Sequence, residues 1–263
     1  MNLEVLSKLA QNAARAAGKS LKKSVLKETF SEEGRDIKAA ADKKAEKIIL
    51  EILEQSKIPV LSEESGFINS DNFSVPINKE SSFIEFPSIF WIIDPLDGTF
   101  NYLKGLPLCC VSIALWRGSE PVIGVIYNFQ LGDLYLGIEG HIASKNGEPI
   151  SISDTKTFEK ASLASGFPSK RNFGREALDS TLSDIQKYKK IRMLGSAAMS
   201  LAFVAEGVID AYQEEDIWIW DVAAGMVIVK AAGGINITTR IKKSFQLNVF
   251  SSNKFLIQQL KDI

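Results

Sequence analysis

The sequence predicts a layered fold of the α+β or α/β class, and three patterns along the chain favour it. Apolar residues recur at helical spacing from Leu3 to about Leu26. Apolar runs between Cys109 and Ile138 are separated by closely spaced turn residues, which is typical of an antiparallel meander. From about residue 161 onward, apolar runs alternate with helical patterns, as in a sheet covered by helices. We therefore expect two halves, 1–150 and 151–263, within one compact unit.

Composition and charge exclude several classes of protein. The chain has 263 residues, of which 45% are hydrophobic and 24% are charged, as in an ordinary globular protein. A net charge of −1 gives no overall attraction to nucleic acid or to anionic membranes, so no specific nucleic-acid partner is expected. No apolar run approaches the length of a membrane span and no secretory signal pattern is present, so we expect a cytoplasmic protein. The only cysteines, Cys109 and Cys110, lack the spacing of a zinc site and are expected to be buried in a strand.

Four further segments complete the prediction for the first half. The polar segment Thr29–Arg35 predicts a loop. A second helix is expected from about Ala39 to Gln55, because apolar residues again repeat at helical spacing. The apolar run Ile58–Leu61 predicts a short strand. The polar stretch from Phe67 to Ser88 is expected either to fold over the functional site or to lie on the surface.

The remaining elements follow from short apolar runs and helical patterns. Strands are expected at 109–116, 122–127, 134–138, 161–167, 191–194, 208–212, 235–238 and 247–251, and helices at 174–188, 196–206, 221–232 and from 253 onward. Gly233 and Gly234 are expected to end the third of these helices.

The most informative segment directly follows a predicted buried strand at 90–93. Asp94 and Asp97 lie three residues apart across a proline-containing bend, so their carboxylates can converge with the carbonyl of Leu96. Three hard oxygen donors of this kind suit Mg²⁺ or Mn²⁺ better than Zn²⁺. Gly98 lets a ligand approach the backbone closely. Taken alone, this short segment favours a strand that ends in an ordinary Asp-Gly turn, with Asp97 only a turn former.

Two longer strings are more specific. Residues 91–102, Trp-Ile-Ile-Asp-Pro-Leu-Asp-Gly-Thr-Phe-Asn-Tyr, resemble the signature of the inositol monophosphatase family. Residues 220–225, Trp-Asp-Val-Ala-Ala-Gly, resemble the second signature of the same family, in the expected order. Haloacid-dehalogenase-type phosphatases are set aside, because one residue separates their two aspartates, whereas Pro95 and Leu96 intervene here.

The resemblance implies a fold and a reaction. The fold is an αβαβα sandwich of the sugar-phosphatase type. The reaction is the magnesium-dependent, lithium-sensitive hydrolysis of a phosphate monoester, in which water attacks phosphorus without a phosphoenzyme. Two or three Mg²⁺ ions are expected, with Mn²⁺ as a possible substitute, and the protein is expected to be a homodimer.

The resemblance also implies a set of metal ligands. Glu63, Asp94 and the Leu96 carbonyl would hold one ion, and Asp94, Asp97 and Asp221 would hold a second. A third ion would be bound more weakly, by Glu63. From the residues alone, Asp221 could also be only the N-cap of a helix.

Three residues are expected to take part in catalysis. Thr99 would position the attacking water, with its hydroxyl linked to Asp42 or Glu63 as the proton acceptor. Asp42 also has a simpler explanation, because a carboxylate near the start of a helix is favoured by the helix dipole.

The substrate is expected to be a small phosphorylated polyol, sugar or nucleotide. By resemblance, Glu214 would contact hydroxyl groups of the substrate, although the acidic run Glu214-Glu215-Asp216 is also typical of surface charge. Ser196 is likewise explained as a helix N-cap. The expected substrate-binding residues are Asp97, Gly98, Thr99, Gly195, Ser196, Ala197, Glu214 and Asp221.

Several functions remain open at this stage. The preferred ester is inositol 1-phosphate, and the alternatives are fructose 1,6-bisphosphate, histidinol phosphate and a 3'(2'),5'-bisphosphate nucleotide. Lys170, Arg171 and Arg175 would grip a second phosphate, or they are loop charges. A different class is a regulatory partner of the transcription machinery, which the resemblance also allows.

Overall fold

Two β-sheets alternate with three layers of helix in the computed structural model. It describes residues 2–24, 30–33, 36–68, 74–75, 87–167, 174–175, 182, 185–240 and 245–261. The helices in these ranges are α1 (Leu3–Ser24), α2 (Ala40–Leu53), α3 (Thr99–Lys104), α4 (Ala197–Ala205), α5 (Ile219–Ala231) and α6 (Lys254–Lys261), with 3-10 turns at Glu54–Ser56 and Phe158–Lys160.

The strands form two large sheets and a hairpin. They are β1 (Phe30–Glu33), β2 (Asp36–Ala39), β3 (Val60–Ser62), β4 (Gly66–Ile68), β5 (Ser74–Val75), β6 (Phe90–Asp97), β7 (Cys110–Arg117), β8 (Glu120–Asn128), β9 (Asp133–Ile138), β10 (Ser144–Lys145), β11 (Glu148–Pro149), β12 (Ser162–Ser165), β13 (Lys190–Arg192), β14 (Ala211–Trp218), β15 (Ile235–Arg240) and β16 (Gln246–Ser252). The larger sheet has nine strands in the order β11-β10-β9-β8-β7-β6-β3-β4-β5, and the smaller has five in the order β13-β12-β14-β16-β15. Strands β1 and β2 pair with each other.

Strand β6 is buried on both faces, because successive side chains of a strand point to opposite sides of the sheet. Trp91 and Ile93 pack in the core that contains α1 and α2. Phe90 and Ile92 pack in the core on the other face, which contains α4 and α5. The strand that delivers Asp94 is thus held between two hydrophobic cores.

Helix α5 lies unusually close to the nine-stranded sheet. A Cβ atom at Gly124 of β8 would lie 2.3 Å from the carbonyl oxygen of Ala224, and one at Gly137 of β9 would lie 2.7 Å from Cα of Ile228. Only glycine permits these backbone approaches. The two glycines therefore set the position of the helix whose first turn carries Asp221.

A third core covers the outer face of the five-stranded sheet. Leu163 of β12 and Phe250 of β16 pack there against Leu256 of α6. Within this sheet β12 runs parallel to β13 and β14, whereas β16 runs antiparallel to β14 and β15. The order of layers is the predicted αβαβα sandwich.

Two segment predictions were wrong. Thr29–Arg35 was expected to be a loop, but Phe30–Glu33 form β1, which pairs with β2 in an antiparallel hairpin. Backbone groups make this pairing, so it leaves no apolar pattern in the sequence. A strand was expected at 208–212, but the observed strand is Ala211–Trp218, because the acidic residues in its middle concealed a strand in which four of the eight residues are buried.

Other predictions fall wholly or partly on residues outside the described ranges. Most of the predicted helix 174–188 lies outside them, as do Lys170 and Arg171. Within the stretch 67–88, β4 and β5 extend the edge of the nine-stranded sheet, and most of the remainder lies outside the described residues. None of the helices in the described ranges is long and apolar enough to cross a membrane.

Candidate active site

A cleft of about 780 Å³ opens where β6 ends. It is lined by residues from both sheets and from the starts of α3, α4 and α5: Glu63, Asp94, Leu96, Asp97, Gly98, Thr99, Phe100, Ser165, Gly166, Phe167, Met193, Gly195, Ser196, Ala197, Ser200, Glu214, Ile217 and Asp221. All the predicted site residues except Asp42 are among them. The roles assigned to them individually stay predictions.

Three carboxylates converge in this cleft. Oxygen atoms of Glu63, Asp94 and Asp221 all lie within 4.8 Å of one another. Glu63 directly follows β3, which runs parallel to β6, and its amide donates a 3.2 Å hydrogen bond to the carbonyl of Ile93. Asp221 arrives from the other half of the chain in the first turn of α5. Neighbouring strand ends and a helix start thus build the acidic cluster.

The electrostatics of the cluster favour a bound cation. Burial raises the pKa of Asp94 well above its usual value, and the charges of Glu63, Asp97 and Asp221 raise it further. Burial, followed by the charges of Glu63 and Asp97, also raises the pKa of Asp221. A divalent cation would relieve this repulsion and would find the all-oxygen donors that Mg²⁺ prefers. The residues therefore fit a hard metal ion.

The bend between Asp94 and Asp97 has a defined geometry. The amide of Leu96 donates a 2.9 Å hydrogen bond to Oδ1 of Asp94. The pairing of β6 with β7 shifts register between the two aspartates, so the backbone leaves the regular strand there. The hydroxyl of Thr99 donates a 3.0 Å hydrogen bond to the Leu96 carbonyl. Gly98 has a φ of 83°, a conformation that favours glycine.

Asp97 stands slightly apart from the acidic cluster, because its Oδ2 atom is held by the start of α4. The Ser196 hydroxyl and the Ala198 amide, the latter at 2.9 Å, both donate hydrogen bonds to Oδ2. The thiol of Cys110 lies 3.8 Å from the same oxygen. Burial raises the pKa of Asp97 to about 6, although these donors oppose the shift. The carboxylate of Asp97 is therefore oriented by the start of α4, and its role as a metal ligand stays a prediction.

Ser196 is also the N-cap of α4, as the simpler explanation from the sequence predicted. Its hydroxyl oxygen accepts a 3.2 Å hydrogen bond from the amide of Met199 while its proton points to Asp97. Because the hydroxyl already has these two partners, a direct contact with substrate stays a prediction. Gly195, just before it, has a φ of 71°.

Thr99 and Asp42 are brought together across two elements. The Thr99 hydroxyl lies 3.5 Å from Oδ2 of Asp42, a long hydrogen bond. Asp42 is buried in the first turn of α2 and does not line the cleft itself. It can therefore act on the cleft only through Thr99 or another intermediary.

Glu46 is a buried carboxylate that the sequence analysis missed. It accepts hydrogen bonds from the Ser62 hydroxyl, from the Ser65 amide at 3.0 Å and from the Ser65 hydroxyl at 2.8 Å. The two serines stand on either side of Glu63, so Glu46 fixes the turn that carries a metal-ligand candidate. Glu46 lies four residues after Asp42 on the same face of α2, and this spacing could have identified it from the sequence.

Glu214 is buried and lines the cleft, so surface charge does not explain it. Its neighbours Glu215 and Asp216 are exposed, so the acidic run divides between the site and the surface. Burial raises the pKa of Glu214 to about 7, with Tyr212 opposing the shift through its hydrogen bond.

The fold and the acidic cleft together define a class of metal-dependent phosphatases. Residues 2–259 match the Inositol monophosphatase family, and the chain belongs to that family. The cluster of Glu63, Asp94 and Asp221 is an acidic group that could hold the metal ion of such a phosphatase.

Individual relatives are similar over most of their length. A protein of Aquifex aeolicus named fructose-1,6-bisphosphatase/inositol-1-monophosphatase is 34% identical over 241 residues, covering 89% of this chain and 86% of the relative. The Nus factor SuhB of Xylella fastidiosa is 35% identical over 229 residues, covering 84% and 78%. The crystal structure of the extragenic suppressor protein suhB from Bartonella henselae superposes with a TM-score of 0.82 at 32% identity, covering 98% of this chain and 97% of that one.

Proposed function

We propose that the chain hydrolyses a small phosphate monoester, with inositol 1-phosphate as the preferred substrate, in a reaction that depends on Mg²⁺. The observation that carries the proposal is the convergence of Glu63, Asp94 and Asp221 within 4.8 Å, with Asp94 buried, in a cleft that also contains Thr99. Carboxylates packed this closely are unfavourable without a cation.

The residues that would hold Mg²⁺ are Glu63, Asp94, Asp97, Asp221 and the carbonyl of Leu96. When bound, Mg²⁺ supplies neutralising charge for the phosphate oxygens and lowers the pKa of a water molecule. Two or three ions are proposed, with Mn²⁺ as a substitute and Li⁺ as an inhibitor. The donor set supports a hard cation because it contains oxygen atoms alone.

Thr99 would orient the attacking water. Its hydroxyl donates a hydrogen bond to the Leu96 carbonyl at 3.0 Å and lies 3.5 Å from Oδ2 of Asp42. The hydroxyl would take a proton from the attacking water while it gives its own proton to an acceptor. Asp42 is the proposed acceptor, and Glu63 is the alternative. Water would attack phosphorus directly, and the alcohol would leave with a proton.

The alcohol part of the ester would be recognised by the opposite side of the cleft. Glu214 would accept a hydrogen bond from a substrate hydroxyl, and the backbone at Gly195 and Ala197 would contact the same group. A compact polyol fits these contacts. The name of the Aquifex aeolicus relative supports fructose 1,6-bisphosphate as an alternative, and a bisphosphate nucleotide is a further one.

The test is phosphate release from a panel of esters in the presence of Mg²⁺. The panel contains inositol 1-phosphate, fructose 1,6-bisphosphate, 3'-phosphoadenosine 5'-phosphate and histidinol phosphate. Release from one preferred ester should be lost in Asp97→Asn and kept in Asp154→Asn, an exposed control. Absence of Mg²⁺-dependent release from every ester would overturn the proposal.

A second candidate function is binding to the transcription machinery, favoured by the 35% identity to the Nus factor SuhB of Xylella fastidiosa. Copurification of partners with the wild-type chain and with Asp97→Asn separates the two functions. Partners retained by the inactive variant would support binding, and their absence from both would count against it. Size-exclusion chromatography with light scattering tests the proposed homodimer.

A further inference from the structure

Glu214 has a single side-chain donor among the described residues, and that donor is Tyr212. The Tyr212 hydroxyl donates a 2.9 Å hydrogen bond to Oε2 of Glu214. The tyrosine is fully buried and does not line the cleft, whereas Glu214 does. The hydrogen bond therefore links a residue in the core to one that can face the substrate.

The backbone of β14 explains why these two side chains meet. Residues two apart in a strand point to the same face of the sheet. Tyr212 belongs to the core between the two sheets, so Glu214 is directed toward the same interior layer. The regular pairing of β14 with β16 breaks only after Glu214, between it and Ile217. The strand therefore keeps the tyrosine and the glutamate in register.

Gly166 lies directly against the carboxylate. It directly follows β12, which runs parallel to β14 with Ser165 opposite Gln213. A Cβ atom at Gly166 would lie 2.6 Å from Oε2 and 2.8 Å from Oε1 of Glu214. Any side chain at this position would displace the carboxylate, so the glycine leaves the space that Glu214 occupies.

We propose that Tyr212 and Gly166 are positioning residues that fix the Glu214 carboxylate, so that Oε1 accepts a hydrogen bond from a hydroxyl of the substrate alcohol. A carboxylate rotates broadly about its last torsion unless a partner holds it. The Tyr212 bond removes that freedom and occupies Oε2, while Gly166 leaves the space in which the carboxylate lies. This inference rests on the proposed function, and it makes the pair a determinant of preference for hydroxyl-bearing esters.

The first test is Tyr212→Phe, which removes one oxygen atom and keeps the packing of the ring. With inositol 1-phosphate we expect KM to rise roughly tenfold, as for loss of a hydrogen bond to a charged group, with kcat nearly unchanged. With phenyl phosphate, whose alcohol part carries no further hydroxyl, both constants should stay within about twofold of the wild type.

A matched control is Tyr135→Phe. Tyr135 is also fully buried, and its hydroxyl donates a 2.8 Å hydrogen bond to Glu206, outside the cleft. This variant loses the same kind of interaction and should leave the ratio of the two KM values unchanged. A change in that ratio in both variants would assign the effect to general destabilisation and overturn the inference.

Gly166→Ala tests the second half of the proposal without removing a hydrogen-bonding group. The added methyl should displace the flexible end of Glu214 and raise KM for inositol 1-phosphate while sparing phenyl phosphate. An equal effect on both esters, or no effect of either variant on inositol 1-phosphate, would overturn the proposal.

The failure of the proposed function would be recognised separately. If the wild-type chain hydrolyses neither ester, the proposed function fails, and the same variants are then compared by calorimetric titration with inositol 1-phosphate and Mg²⁺. Weaker binding in Tyr212→Phe but not in Tyr135→Phe would support the positioning role. Absent binding, or equal affinity in all variants, would overturn it.

Discussion

The amide of Ala198 donates a 2.9 Å hydrogen bond to Oδ2 of Asp97, which joins the start of α4 to the end of β6. Asp97 ends a strand of the nine-stranded sheet in the first half of the chain, whereas Ala198 lies in a helix of the second half. Because the Ser196 hydroxyl donates to the same oxygen, Asp97 is oriented by a helix start as well as by its own strand. A negative charge at the start of a helix is also favoured by the helix dipole.

Ser196→Ala should reduce both stability and activity. It removes the N-cap of α4, which costs about 1 kcal/mol of the free energy of unfolding. It also removes a donor to Asp97, and loss of a group that orients a metal ligand typically lowers activity about 10- to 100-fold. Denaturant unfolding and phosphate release measure the two effects. Ser7→Ala is the matched control, because Ser7 is also buried and its hydroxyl donates a hydrogen bond to the Glu4 carbonyl, outside the cleft. Equal activity losses in both variants would contradict the prediction.

Glu46→Gln should weaken metal binding without touching the metal. The amide cannot accept all the hydrogen bonds that the carboxylate receives from Ser62 and Ser65, so the turn that carries Glu63 should loosen. We expect about a 10- to 100-fold loss of affinity for Mg²⁺ or Mn²⁺ in a calorimetric titration. Glu51→Gln, an exposed change on the same helix, should bind metal as the wild type does. Unchanged affinity in Glu46→Gln would show that the turn is held by other contacts.

Asp94→Asn should stabilise the metal-free protein and abolish its response to metal. The substitution keeps an oxygen for the Leu96 amide and removes a buried charge whose pKa is raised by burial and by Glu63. In EDTA we expect a higher Tm than for the wild type. Mg²⁺ should raise the Tm of the wild type, because a ligand that binds only the folded state stabilises it, but not that of the variant. A lower Tm of Asp94→Asn in EDTA would mean that repulsion in the cluster is already compensated.

Asp210 should contribute stability that is lost in acid. The amide and hydroxyl of Ser162 donate hydrogen bonds of 2.7 and 2.8 Å to its Oδ2. Burial tends to raise the pKa of Asp210, but these and other hydrogen bonds outweigh burial and lower it below the usual 3.8. A lowered pKa in the folded state means that the contribution is complete above the unfolded-state value and disappears as the pH falls through the folded-state value.

The corresponding variant is Asp210→Asn. At neutral pH it should lose about 1 kcal/mol of the free energy of unfolding, a figure reduced for the partial exposure of the carboxylate. The difference from the wild type should shrink as the pH falls below about 4. Urea unfolding at several pH values measures it, with the exposed Asp154→Asn as the control. If the difference in the free energy of unfolding grew as the pH fell, the pKa of Asp210 would be raised in the folded state and not lowered.

The layered fold was predicted from apolar patterns, and the acidic residues of the cleft were predicted from two short strings that resemble a family signature; their roles as metal ligands stay predictions. Asp94 and Asp97 stand in a short string with distinctive chemistry, and the apolar residues of β6 identify a strand buried on both faces. The position of Glu214 was harder to predict, since an acidic run looks the same on a surface and on a strand that is only partly buried. The domain division at residue 150 stays a prediction, although the nine-stranded sheet ends at Pro149.

Other parts of the site could not be derived from local patterns. The bonds from Ser196 and Ala198 to Asp97 join residues 99 and 101 positions apart, and no periodicity reports such a contact. Cys110 was correctly expected to be buried, but its approach to Asp97 depends on the register of β6 against β7. Glu46 was missed because it acts through the backbone and hydroxyl groups of a neighbouring turn.

The acidic cluster has a consequence for the order of events during folding. Glu63 and Asp94 come from the nine-stranded sheet. Asp221 comes from α5, which reaches them only when it has packed against Gly124 and Gly137. A nascent chain that has been synthesised only as far as β11 therefore lacks one of the three carboxylates. The three-carboxylate cluster is therefore complete only after the second half has docked, so an ion that depends on Asp221 would bind the folded molecule and would not guide its assembly.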